Sequence, residues 1–149
     1  MKPVRRLVTV DDSSGRSRAI ADGPAPAVDT DPARPGYSST LIWYTERTPA
    51  RIDTAPLHAP YREDPPPGGS VCRVICFPPE KPDGRPPMFF TGTLDFCLVL
   101  EGGITLVLDL EEVQLKAGDT VVQRGTRHAW SNRSGKPCVV AISSHDAYD

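Results

Sequence analysis

From Ser70 onward the chain is a series of short β-favouring runs, each closed by a turn residue. The runs are SVCRVICF, LDFCLVLE, ITLVLDL, VQLKAG, DTVVQRG and CVVAISS, and Gly, Pro, Asp or Ser separates them. Runs of this length at such close spacing, without an apolar period of 3.6 residues, are typical of a β-sandwich or barrel. The segments EGG and DLEE have the lengths of tight hairpin connections. The pattern predicts an all-β domain over residues 70–149.

Residues 1–69 differ in character, because proline interrupts them repeatedly. VRRLVTV and TLIWYTE are candidate strands, with a shorter one around Ala19 and Ile20. Proline removes a backbone donor and restricts the residue before it, so DGPAPAVDTDPARPG cannot be helical. We predict an irregular, proline-rich N-terminal extension that packs on the barrel or on a partner subunit, because extended segments readily add to a sheet edge.

The bulk composition excludes several classes of partner. A formal net charge of −2 gives no electrostatic footprint for nucleic acid or for an anionic membrane. The longest apolar runs are strand-sized, too short for a membrane span or a signal-peptide core. The cysteines lie inside β-favouring runs and form no CxxC pair, which indicates buried, reduced thiols. We therefore expect a cytoplasmic, single-domain protein that binds a small molecule and neither nucleic acid nor membrane.

The segment from Gly118 to Asn132 resembles the second conserved motif of the cupins, which are small double-stranded β-helix barrels. It reads GDTVVQRGTRH and is followed four residues after His128 by Asn132. The segment keeps the first glycine, the strand, the turn glycine and the histidine-to-asparagine spacing of the family. It departs from the family where Gln123 and Arg124 replace the usual proline-containing turn, and it is one residue shorter than the common form.

The first cupin motif is recognisable from Asp95 through Gly102, where an acidic residue precedes the hairpin glycine at the family's spacing. The resemblance implies a double-stranded β-helix (jelly-roll) barrel and, since many cupins are dimeric, a homodimer. Strand alternation places Asp95, Cys97 and Val99 on one face, and Phe96, Leu98 and Leu100 on the other. His128, Trp130 and Asn132 share a face in the same way. If Asp95 faces the barrel lumen, His128 can meet it there.

The metal ligands of the family are mostly replaced in this sequence. In metal-binding cupins the first motif supplies two histidines and a glutamate, and the second supplies another histidine. By position these places fall at Phe89, Thr91, Asp95 and His128. Phenylalanine cannot bind a metal and threonine is a poor ligand, so the set falls below the three protein ligands of a catalytic site. We predict no cofactor; the alternative is a divalent ion (Fe, Mn, Zn or Ni) held by Asp95 and His128.

The remaining chemistry centres on Asp95 and His128 as candidate catalytic residues. A carboxylate near an imidazole favours the imidazolium, and such a pair can transfer a proton. Arg73 or Arg124 offers a forked cation for a substrate carboxylate. Cys97 beside an anionic Asp95 is a poor nucleophile. The candidate substrate-binding residues are Arg73, Phe89, Thr91, Cys97, Gln123, Trp130 and Trp43; for each, ordinary packing or a solvated position is the alternative.

Three functions stay open at this point. The first is a metal-independent lyase, isomerase, cyclase or decarboxylase acting on an aromatic or polyketide-like metabolite. The second is a non-catalytic small-molecule-binding protein, and the third is a metal-dependent, dioxygenase-like cupin. The resemblance favours the first, because stand-alone cupins of this size often resemble accessory enzymes of secondary metabolism.

Overall fold

The computed structural model describes residues 2–52, 55–81 and 86–148, and every regular element in these ranges is a β-strand. There are eleven strands: β1 (Arg5–Asp11), β2 (Ser17–Pro24), β3 (Val28–Thr30), β4 (Ser38–Thr45), β5 (Ser70–Phe77), β6 (Thr93–Glu101), β7 (Gly103–Val107), β8 (Glu112–Lys116), β9 (Thr120–Arg124), β10 (Ala129–Ser131) and β11 (Cys138–Asp146). The all-β prediction is confirmed. In the described part of the chain, no helix has the length and apolarity to cross a membrane.

Two antiparallel sheets enclose the core. The larger sheet has the strand order β3-β4-β5-β11-β6-β9, and the smaller has the order β10-β7-β8. Buried side chains of both sheets form one apolar cluster, consisting of Ile75, Phe77, Cys97, Val99, Ile104, Cys138, Val140 and Ile142. The faces that meet are therefore the apolar faces of two packed sheets, as the barrel requires.

The strands from β5 onward follow the predicted runs closely. β5 occupies SVCRVICF, and β6 begins one residue before LDFCLVLE. Along β6, Asp95, Cys97 and Val99 are buried while Phe96, Leu98 and Leu100 are exposed, which confirms the predicted alternation. The short strand β10 is absent from the predicted runs, because three residues are too few to show a period.

The N-terminal residues contribute to the barrel as well as to a separate arm. β1 and β2 form a two-stranded hairpin of their own, with mostly exposed side chains. β3 and β4, by contrast, extend the larger sheet. β3 pairs with β4, and β4 pairs with β5. Strands from both sides of position 69 in the sequence therefore belong to the same sheet.

The turn between β6 and β7 depends on a glycine. Gly102 has φ = +78°, and a Cβ added there would lie 2.6 Å from the carbonyl oxygen of Pro137. Both the backbone conformation and the close approach of a neighbouring carbonyl exclude a larger side chain. This turn fixes where the chain leaves the larger sheet for the smaller one.

Candidate functional site

Asp95 lies on the inner face of β6 within a row of polar side chains. Ser144 of β11 lies opposite it on one side and Gln123 of β9 on the other. Directly opposite residues of an antiparallel pair point to the same face, and all three side chains are buried. Thr93 Oγ1 donates a hydrogen bond to Asp95 Oδ1 at 2.8 Å. Gln123 Nε2 is a buried donor that has no hydrogen-bond partner among the described residues.

His128 is buried at the start of β10 and its ring is held from one side. Its backbone exchanges two hydrogen bonds with Phe89, at 2.7 and 2.9 Å. Its Nδ1 lies 2.6 Å from the carbonyl oxygen of Thr126. A carbonyl only accepts, so Nδ1 carries the proton and Nε2 of the neutral ring keeps its lone pair. The Trp130 ring lies edge-on, with centroids 6.2 Å apart, and flanks the imidazole.

The structure does not join Asp95 to His128. Among the described residues, neither a hydrogen bond nor an ion pair connects the two side chains, whereas the sequence predicted that they meet. Each side chain has its own hydrogen-bond partner: Thr93 donates to one oxygen of the Asp95 carboxylate, and the carbonyl of Thr126 binds Nδ1 of the His128 imidazole. The two groups are therefore a buried carboxylate and a buried imidazole with separate hydrogen-bond partners.

Arg73 lies on the inner face of β5 and is 9% exposed. Its Nη1 is 3.5 Å from the hydroxyl of Tyr61 and 3.7 Å from Oε1 of Glu63, and its Nε has no hydrogen-bond partner in the part of the chain that the structure describes. The Tyr61 hydroxyl in turn donates to Ser39 Oγ at 2.7 Å. Sequence reasoning missed Tyr61 and Glu63, because they lie in a proline-rich connector without periodic structure. The signal available was their residue type, a tyrosine and a glutamate in the connector that leads to an arginine predicted to bind substrate.

Phe89 and Thr91 lie at the rim of the barrel. Phe89 is opposite His128 but 58% exposed, so its ring is not part of the inner wall. Thr91 Oγ1 is buried, and no other described residue forms a hydrogen bond with it. It lines a cavity of ≈ 420 Å³ together with Phe90, Thr93 and Arg124. Thr93, which lines this cavity, also donates the hydrogen bond to the buried carboxylate of Asp95.

Cys97 and Trp130 face inward as predicted. Burial, reinforced by the charge of Asp95, raises the pKa of the Cys97 thiol to about 12, although Arg73 opposes the shift. The thiol therefore stays protonated at neutral pH, in agreement with its predicted inertness. Trp130 packs against Phe77 with ring centroids 6.3 Å apart, at the edge of the apolar cluster.

Trp43 corrects the sequence prediction. It was expected among the substrate-binding residues, but it lies opposite Cys72, on the face of the sheet turned away from Arg73. The guanidinium of Arg6 lies 5.7 Å from the Trp43 ring, so the hairpin covers it from outside. A register shift between Leu41 and Trp43 reverses the alternation of β4, and a β-bulge has this effect on every residue beyond it.

Asn132, the last residue of the second motif, has a structural task. Its Nδ2 donates to the carbonyl oxygens of Phe77 at 2.9 Å and Lys136 at 2.7 Å. Its Oδ1 accepts from the backbone N of Ser134 at 3.1 Å and from the Ser134 hydroxyl at 2.7 Å. The side chain is 1% exposed. It therefore ties the loop after β10 to the end of β5.

The donor set does not fit a tightly held catalytic metal. In the described ranges, no three side chains among His, Cys, Asp and Glu converge on one point. Of the four positions implied by the family motifs, Phe89 offers no donor atom, and the hydroxyl of Thr91 is a weak ligand. A site of at least three protein ligands is not present among these residues.

The family model described as "Cupin domain" matches residues 74–144. Phomopsin biosynthesis cluster protein C' of Diaporthe leptostromiformis is 49% identical over 69 residues, covering 46% of this chain and 35% of that protein. The cupin-domain-containing oxidoreductase virC of Hypocrea virens is 34% identical over 102 residues, covering 65% of this chain and 51% of that protein. The chain thus spans about a third to a half of the length of these curated relatives.

Among solved structures, the cupin domain of Schizosaccharomyces pombe Cnp3 superposes with a TM-score of 0.56. It is 10% identical, and the match covers 96% of this chain and 88% of that one. At this level of identity the likeness concerns the fold alone. It agrees with the two-sheet arrangement described above.

Proposed function

Residues 74–144 form a small cupin domain, and from this premise we propose that the chain is a metal-independent small-molecule enzyme of secondary metabolism. The assignment to secondary metabolism draws on a relative named as a protein of the phomopsin biosynthesis cluster. The proposed reaction class is the removal and return of a proton, as in an isomerase, lyase or cyclase. An aromatic or polyketide-like metabolite is the proposed substrate. A homodimeric state and a cytoplasmic location remain predictions.

The observation that supports this proposal best is the hydrogen bond between His128 Nδ1 and the carbonyl oxygen of Thr126. It fixes one tautomer, so that Nε2 of the neutral imidazole is available to accept a proton. A general base needs this combination of a defined tautomer and a buried, oriented ring.

Asp95 supplies the second group of the proposed mechanism. It is buried on the inner face and held by Thr93 at 2.8 Å. Because no hydrogen bond or ion pair joins it to His128 among the described residues, we assign it to a different atom of the substrate. His128 would take a proton at one position while Asp95 binds, or gives a proton to, another. Such division of labour between two titratable groups is common in proton-transfer enzymes.

An oxidoreductase is the second candidate, because the relative from Hypocrea virens is named as one. The donor set of the described residues favours the metal-independent proposal, since Asp95 and His128 are the remaining ligand types at the family's positions. The two candidates differ in their response to added metal, which makes them separable by experiment.

Solvent deuterium exchange tests the proposal even while the natural product of the reaction is unidentified. Aromatic ketones, phenols and carboxylic acids are incubated with the protein in D₂O, and mass spectrometry detects incorporation at carbon. His128→Ala should lower the exchange rate about 10²- to 10⁴-fold, the usual contribution of a general base. Asp95→Asn should lower it as well. The matched control is His58→Ala, which removes an exposed imidazole outside the site and should leave the rate unchanged.

Three results would contradict the proposal. Binding of a compound without exchange or turnover by the native protein would indicate a non-catalytic binding protein. Turnover that requires added Fe, Mn, Zn or Ni, with a matching metal content by elemental analysis, would favour the oxidoreductase. Equal exchange rates for native protein and His128→Ala would remove His128 from the mechanism.

A further inference from the structure

The buried guanidinium of Arg73 is incompletely paired. A buried cation is expensive unless hydrogen bonds and an opposite charge compensate it, and that requires good geometry. Its distances to Tyr61 and Glu63, 3.5 and 3.7 Å, lie beyond the 2.7–2.9 Å of a strong charged hydrogen bond. Its buried Nε has no hydrogen-bond partner within the described ranges. The inner face therefore presents a cation with donor capacity to spare.

The partner that offsets this charge is easy to displace. The side chain of Glu63 is 69% exposed, while that of Arg73 is 10% exposed. An ion pair with one solvated partner at this distance contributes little free energy. Tyr61 is held more firmly, because its hydroxyl also donates to Ser39. The proline-rich connector therefore places the exposed carboxylate of Glu63 beside the buried guanidinium of Arg73.

We propose that Arg73 is the anchor for a carboxylate of the substrate, and that Glu63 occupies the same cation in the ligand-free chain. This inference rests on the proposed function, since it names the substrate class of that same inner face. A carboxylate matches the guanidinium fork, and Glu63 is already a carboxylate beside it. A single cation, with Asp95 on the same inner face, suits a singly charged ligand better than a doubly charged phosphate.

The surroundings of Arg73 define the rest of the ligand. On the inner face, the neighbour of Arg73 on β11 is Ile142, and Ile75 follows two residues along β5; both belong to the apolar cluster. The polar row with Asp95 and Gln123 lies on the same inner face. Gln123 Nε2 is a second buried donor to which no described residue is hydrogen-bonded. In chemical character, these groups match a carboxylic acid with an apolar or aromatic body and a further oxygen acceptor.

The test compares acids with their uncharged amides. Benzoate, cinnamate and 2-naphthoate, and the three corresponding carboxamides, are titrated into the full chain and binding is followed by protein NMR. The native chain should bind at least one acid about tenfold or more tightly than its amide, as expected for a charged hydrogen-bonded pair. Arg73→Gln should abolish this preference. Arg124→Gln, which removes the cation of the neighbouring cavity, is the matched control and should preserve it.

Glu63→Gln gives an independent measurement that does not depend on a core substitution. Because it removes the competing carboxylate from an exposed position, it should tighten acid binding by roughly two- to fivefold and leave the amides unchanged. Absence of any acid preference in the native chain, its loss in Arg124→Gln, or weaker acid binding in Glu63→Gln would each overturn the proposal. Deuterium exchange with His128→Ala stays a separate readout, so failure of the anchor and failure of the proposed catalysis can be told apart.

Discussion

Replacement of Asn132 by alanine should destabilise the domain by about 2–4 kcal/mol. The side chain makes four hydrogen bonds and is almost fully buried. The bond to the carbonyl oxygen of Phe77 is in the interior, and a buried acceptor left unpaired costs about 1–3 kcal/mol. The three hydrogen bonds to Lys136 and Ser134 lie nearer the surface, where water replaces them in part. We therefore assign to them the rest of the expected loss in unfolding free energy.

Equilibrium unfolding in urea measures this effect. For a small domain, the unfolding free energy falls by about 1–3 kcal/mol per molar urea; at a slope of about 2 kcal/mol per molar, the midpoint should fall by about 1–2 M. Ser134→Ala is the matched control: it removes the part-buried hydroxyl bond to Asn132 and two exposed bonds to the Lys136 backbone, but leaves the buried bond from Asn132 to Phe77 in place, and should cost about 1 kcal/mol. Equal midpoints for the two variants would refute the assignment of Asn132 as the tie between the loop and β5.

Two further predictions concern the turn glycine and the inner thiol. Gly102→Ala should cost at least about 1 kcal/mol more than Gly15→Ala, because both positions have positive φ but only the former brings a Cβ against the carbonyl of Pro137; equal unfolding midpoints would contradict this. Cys97, whose pKa burial raises from 9.0 to about 12, keeps a proton in the folded state that the unfolded chain releases. The free energy of unfolding should therefore fall as the pH rises from about 9 to about 12. Urea titrations over that range should show a shallower fall for Cys97→Ala. The same dependence of unfolding free energy on pH in both proteins would argue against the raised pKa of Cys97.

The sequence predicted most reliably where strands alternate without interruption. The inward positions of Asp95 and Cys97 follow from simple parity along β6, and the structure agrees. Trp43 was chosen for its aromatic ring and not from parity, and the bulge between Leu41 and Trp43 turns it to the outer face of the sheet. Backbone irregularities of this kind depend on the fit between strands and leave no mark in a local pattern.

The polar details of the candidate site were less accessible from sequence. Whether Asp95 reaches His128 depends on side-chain rotamers. Here the Asp95 carboxylate accepts a hydrogen bond from Thr93, and the His128 ring is bound to the carbonyl of Thr126. Glu63 comes close to Arg73 through a connector with no regular structure. Long-range contacts from such segments are set by the tertiary fold, which periodicity does not encode.

The position of β11 in the larger sheet has a consequence for biosynthesis. This strand, residues 138–146, lies between β5 and β6 and pairs with both along its length. During translation, β5 and β6 emerge from the ribosome well before β11, the strand that lies between them. The edges of β5 and β6 that pair with β11 therefore stay unpaired until β11 is made. The sheet closes only once residues 138–146 are released, and pairings this distant in the chain are slow to form. We therefore expect premature termination before residue 138 to yield aggregation-prone chains in place of a smaller folded domain.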